Sequence, residues 1–81
     1  MVREAERHDG RFGDRIRVGR LEQALSQKEV ADLAGISVRT YREWEHGRAV
    51  PFPGRNLRAI SAVLRKPVRY LLHGEEDDAF D

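Results

Sequence analysis

Arg39 and Arg42 stand three residues apart, with Val38 and Glu43 beside them and with Tyr41 and Trp44 at the same spacing of three. At helical periodicity the two aromatics share one face, and Val38, Arg39, Arg42 and Glu43 point the other way. An arginine guanidinium is a planar fork of donors that can bond guanine O6 and N7 together. A valine can meet a thymine methyl, and a carboxylate can accept from cytosine N4. Glu43 has a second role open to it, that of orienting Arg39 or Arg42. Taken alone, this pattern is also that of any amphipathic surface helix, so its meaning depends on what flanks it.

The flanks are two short helices and one sharp turn. Ser26 followed by Glu29 is a capping box, the reciprocal side-chain and backbone pairing that starts a helix. That helix runs from about Gln27 to Ala34, burying Val30, Ala31 and Ala34, with Leu33 partly exposed and Lys28, Glu29 and Asp32 outward. Gly35 supplies the positive φ needed to leave it, and Ile36 can plug the corner. Ser37 is a second N-cap, and the next helix runs to about His46 before Gly47 stops it. Two helices joined this way form a helix-turn-helix, whose second helix reads the major groove of B-DNA with its N-terminal residues.

The remaining chain frames this motif as an all-α, five-helix domain over residues 11–74. A first helix is expected from Phe12 to Ala24, burying Phe12, Ile16 and Leu25, with Val18 and Leu21 as partial contributors and Arg15 and Arg17 solvated. Residues 47–56 form a loop that Pro51 and Pro53 hold extended, with Phe52 either packed down or exposed. A fourth helix runs from Arg55 to Leu64, with Leu57, Ala59, Ile60 and Val63 or Leu64 inward. Pro67 opens a fifth through Leu72, whose Val68, Leu71 and Leu72 close the core or face a second chain. Residues 1–10 read as a flexible arm. In residues 75–81, Glu75, Glu76, Asp77, Asp78 and Asp81 divide the formal net charge of +1 into −5 on an acidic tail and +6 on the rest. From Arg48 to Arg69 there are six basic residues and no acidic one, which fits a polyanion-binding surface.

The chain resembles the lambda-repressor-like DNA-binding domains of the Cro or XRE type. Ser-Gln-x-Glu-x-Ala at 26–31, Gly35, the apolar-Ser pair at 36–37 and Trp-Glu-x-Gly at 44–47 carry the resemblance, which extends from about Phe12 to Gly74. It implies that Gln27 bonds a phosphate, consistent with the anion affinity of a helix N-terminus; capping alone is the other reading of that residue. It also implies that Arg20 pairs with Glu45, tying the first helix to the end of the third. Ser37, Thr40, His46, Arg48, Arg55 and Arg58 are the further candidates for phosphate contacts, which position a protein without specifying sequence.

Other function classes find little support. The chain has no cysteine, and His8, His46 and His73 lie far apart without metal-ligand spacing. There is no Gly-x-Ser-x-Gly, no phosphate-cradling glycine loop and no run of membrane-spanning length, so neither an enzyme, a metal site, a cofactor nor a membrane is implied. The expectation is a sequence-specific transcriptional regulator, a repressor, acting in the cytoplasm at the nucleoid and binding a two-fold operator as a homodimer on duplex DNA. Two alternatives compete with it. One is an antitoxin that binds both its own operator and a toxin partner. The other is a protein-interaction module of the same fold that does not touch DNA.

Overall fold

A computed structural model describes residues 11–51 and 54–74. The arm at 1–10, Phe52 and the acidic tail at 75–81 lie outside the described residues. Five helices follow in order: α1 (Phe12–Glu22), α2 (Gln27–Ala34), α3 (Val38–Glu45), α4 (Arg55–Leu64) and α5 (Val68–His73). No strand occurs among the described residues. Helix α2 packs against α3 and α4, while α1 packs against α3, α4 and α5, and α4 packs against α5. One core results, built from Phe12 and Ile16 of α1, Val30 and Ala31 of α2, Tyr41 and Trp44 of α3, Leu57, Ile60 and Leu64 of α4, and Leu71 of α5. Leu25, Ala34, Ile36, Val38, Val63, Val68 and Leu72 pack against it from the edge.

Helix α1 departs from expectation in three ways. It ends at Glu22 rather than Ala24, because Ala24 takes a left-handed conformation with φ 59°. The exit is a Schellman turn, in which the Leu25 amide donates to Arg20 O (3.2 Å) and the Ala24 amide to Leu21 O (3.0 Å). Val18 and Leu21 are exposed rather than partial contributors, since the buried stripe runs through Phe12, Arg15, Ile16 and Gly19. Arg15 is therefore buried, not solvated. Its Nε and Nη2 donate to the carbonyls of Leu71 and Leu72, each at 2.8 Å, so a charged fork closes the C-terminal end of α5. Burial lowers the Arg15 pKa, with Tyr70 and Asp14 opposing.

Two close approaches fix how α1 lies. A Cβ on Gly13 would stand 2.6 Å from the carbonyl oxygens of both Trp44 and Glu45, so only glycine lets the start of α1 cross the end of α3 here. A Cβ on Gly19 would meet the Leu64 side chain at 3.4 Å, ordinary contact that places α1 over α4. At the other end of the fold, Pro67 does not enter the last helix. It sits before it in extended conformation (φ −62°, ψ 147°), and α5 begins at Val68.

Candidate nucleic-acid interface

The α2–turn–α3 unit is built largely from local bonds. Ser26 Oγ accepts from the Glu29 amide (3.0 Å) while Glu29 Oε1 accepts from the Ser26 amide (2.7 Å), completing the capping box. Gly35 leaves α2 at φ 77°, and the Ile36 amide reaches back to Ala31 O (2.9 Å). That bond turns the chain sharply and swings Ile36 against the core. Ser37 Oγ then accepts from the Thr40 amide (3.0 Å) to start α3, and its hydroxyl donates to Thr40 Oγ1 (3.0 Å).

The inward side of α3 anchors it. Tyr41 and Trp44 are buried with ring centroids 6.4 Å apart at 69°, an edge-to-face pair. One turn on from Tyr41, the carboxylate of Glu45 collects donors from three helices. Arg20 Nε bonds its Oε2 at 2.7 Å and Arg20 Nη2 its Oε1 at 3.2 Å, a bidentate fork. The Tyr41 hydroxyl donates to Oε2, and Gln27 Nε2 donates to Oε1 at 2.9 Å. The third arm of the fork, Arg20 Nη1, donates to Leu25 O (3.0 Å), fastening the α1–α2 connection to the same cluster.

These contacts set the charge states. Burial pushes the Glu45 carboxyl up, but the bonds from Arg20, Tyr41 and Gln27, together with the Arg20 charge, hold it below the ordinary carboxylate value. The Arg20 pKa is raised, chiefly by its bond to Glu45. Burial first, and then donation to Glu45, push the Tyr41 phenol far above its ordinary range, so the phenol stays a donor.

On the outward side, Arg39, Thr40 and Arg42 are exposed, and Glu43 is half-buried. Val38 is also half-buried and packs partly on the core, so it presents less of itself outward than its place beside Arg39 suggests. Arg42 is not loose: its Nε donates to Gln27 Oε1 at 3.1 Å. Glu43 faces Arg48 (3.4 Å to Arg48 Nη1), not Arg39 or Arg42. Ser37 and His46 bracket α3 and are exposed, as are Arg48 in the following loop and Arg55 and Arg58 on the first turns of α4. Gln27 is half-buried, with both ends of its amide engaged inside the protein.

Gln27, Arg42, Glu45 and Arg20 are thus brought into one bonded chain. Part of it had a sequence signal, because Tyr41 and Glu45 are four apart on one helix. The Gln27–Arg42 bond had none, since it joins residues 15 apart across a tertiary contact. Arg15 did leave a signal: it occupies an apolar position in the stripe of α1. Among the described residues no cluster of His, Cys, Asp or Glu could hold a metal ion, and no helix is long and apolar enough to cross a membrane.

Two short helices at a glycine corner, the second anchored by aromatics and bearing arginines outward, define a helix-turn-helix domain. The chain belongs to that family, the lambda-repressor-like, Cro/XRE-type helix-turn-helix domains, whose family model matches residues 16–71. The HTH-type transcriptional regulator DicA of Escherichia coli (strain K12) is 37% identical over 66 residues, which is 82% of this chain. The chain spans about half the length of that curated relative, 48%. Among solved structures, the P22 c2 repressor in complex with a synthetic operator superposes with a TM-score of 0.76 at 32% identity, covering 80% of this chain and 97% of that one. The solution structure of the P22 c2 repressor DNA-binding domain gives 0.73 at 33% identity, covering 79% and 83%.

Proposed function

We propose that this chain is a sequence-specific, duplex-DNA-binding transcriptional regulator, acting as a repressor by occupying an operator. Helix α3 enters the major groove with Val38, Arg39, Arg42 and Glu43 toward base edges. Gln27, Ser37, Thr40, His46, Arg48, Arg55 and Arg58 meet the phosphate backbone and set the register. Two copies bind a two-fold operator, in the cytoplasm at the nucleoid, and the protein acts by binding rather than by catalysis.

The observation that carries this reading is the division of α3. Tyr41 and Trp44 are buried while Arg39 and Arg42 are exposed, in a helix-turn-helix whose relative is solved on an operator. The relatives are named as a regulator and a repressor, so the antitoxin and interaction-module readings are not favoured.

Selection of bound sequences from a random duplex pool, followed by competition binding at several salt concentrations, tests the reading. An enriched motif is expected, with log K falling against log[salt] at a slope of about −0.9 per phosphate neutralised. Arg39→Ala should relax preference at one base pair per half-site, by a factor of about ten, while sparing nonspecific binding. No enrichment, together with salt-independent binding, would reject the function.

A further inference from the structure

We propose that Gln27 is the positioning residue for Arg42, and that Arg42, held end-on by it, sets the sharpest base preference of this protein, a guanine. The inference rests on the DNA-reading function proposed above.

The Gln27 amide is oriented by its neighbours. On one side stands the Glu45 carboxylate, buried and ionised, which only accepts hydrogen bonds. On the other stands the Arg42 guanidinium, which only donates. Turning the amide over would set oxygen against oxygen and N–H against N–H, so the nitrogen must face Glu45 and the oxygen must face Arg42. Glu45 is in turn gripped by the Arg20 fork and the Tyr41 hydroxyl. Orientation therefore passes outward from a buried ion pair to an exposed arginine, through one neutral amide.

The consequence for Arg42 is geometric. Its Nε is committed to Gln27 Oε1 at 3.1 Å, which leaves Nη1 and Nη2 as the free edge of the fork. Two parallel N–H donors match the O6 and N7 acceptors of guanine. Adenine offers N7 beside a donating amino group and fits only half of that pair. Because the amide is uncharged, it fixes the guanidinium without neutralising it, as a carboxylate partner would. Arg39 differs: it is exposed, with no hydrogen bond or ion pair among the described residues. Its side chain must be ordered at the moment of binding, which weakens any discrimination it achieves.

Two measurements test the proposal. The first needs no DNA: 15N NMR of arginine side chains. The Arg42 Nε–H should exchange with solvent about tenfold more slowly than the Arg39 Nε–H, and Gln27→Ala should abolish the difference. Equal rates in the unaltered protein would overturn the proposal whether or not the chain binds an operator.

The second is competition binding on the selected operator varied one base pair at a time. Arg42→Ala identifies the guanine it reads. Gln27→Ala should lower preference at that pair, and at no other, by about tenfold, and should add nothing further in the Arg42→Ala background. If Gln27→Ala instead weakens all duplexes by one common factor with every preference intact, Gln27 is only a phosphate contact and the proposal fails. Should Gln27→Ala not fold, Gln27→Met, which keeps the unbranched stem but has no amide oxygen to accept from Arg42 Nε, must lower the guanine preference in the same way; an intact preference would equally overturn the idea. A pool that yields no enriched motif rejects the DNA-reading function, and the guanine assignment with it, independently of the exchange result.

Discussion

Arg20 and Glu45, 25 residues apart in the chain, meet as a two-bond fork whose side chains are only 12% and 4% exposed. A pair so enclosed is costly to break from one side, because the remaining charge has already lost its water. Arg20→Ala should therefore lower the unfolding free energy by about 3–5 kcal/mol. The exposed pair of Lys28 and Asp32 provides the contrast, and Lys28→Ala should cost less than about 1 kcal/mol. Urea denaturation followed by circular dichroism measures both. Similar small losses for the two would mean that the enclosed pair contributes nothing special.

The same carboxylate makes stability depend on pH in one direction. The folded pKa of Glu45 lies below its ordinary value of 4.5, despite burial, because Arg20, Tyr41 and Gln27 bond its ionised form. Its contribution is therefore complete above that ordinary value and is lost as the pH falls through the folded pKa. The urea midpoint should drop with acid in that window. In Glu45→Gln, the drop should be smaller than in the unaltered protein.

Gly13→Ala tests the crossing of α1 over α3. In an open helix this change would be favourable, by up to about 1 kcal/mol. Here the added methyl would stand 2.6 Å from two backbone carbonyl oxygens, which cannot rotate away as a side chain can. A net loss of about 1–3 kcal/mol is expected. A stabilised variant in thermal melts would show that α1 can lift without cost.

Ala24 and Arg65 point the other way. Both take left-handed conformations, φ 59° and 60°, at helix exits where glycine fits without a Cβ penalty. Ala24→Gly and Arg65→Gly should each raise stability, by about 0.5–1 kcal/mol, since relief of backbone strain outweighs the added freedom of the unfolded chain. Differential scanning calorimetry of the single and double variants would detect the rise and its additivity.

Arg15→Met keeps an unbranched apolar stem while deleting two donors to the carbonyls of Leu71 and Leu72. A cost of about 2 kcal/mol is expected from the two carbonyls left without their charged donor. Hydrogen exchange should accelerate first in α5. Uniform acceleration across the helices would instead indicate a global loss.

The helix-turn-helix was legible because its determinants are local. Ser26 and Glu29, Gly35, Ser37 and the Tyr41–Trp44 spacing each act within one turn of chain, and a reader of residue types meets them side by side. The end of α1 was not legible, because nothing about Ala24 as a residue type announces a left-handed turn; tertiary packing imposes it. Arg15 was misjudged for a related reason. Its charge argued for water, while the acceptors that make its burial tolerable come from α5, more than fifty residues away. Of the residues that periodicity placed outward on α3, Arg39 and Arg42 are exposed and Glu43 half-buried, whereas Val38 packs partly on the core, because the first turn of α3 lies against its neighbours. Their unequal support was not legible, since Gln27 reaches Arg42 only after α2 and α3 have packed.

Under the DNA-reading role proposed for α3, that unequal support bears on how operator preference changes over evolutionary time. Residues 39 and 43 have no part in the core, and substitutions at such surface positions typically alter stability by no more than about 0.5 kcal/mol. They are free to drift and to retarget the protein with little effect on folding. Position 42 is different, because any residue placed there inherits Gln27 as its neighbour and must suit an amide already committed to Glu45. New specificities should therefore arise first through position 39 and last through position 42, and a lineage that exchanges Arg42 should exchange Gln27 along with it.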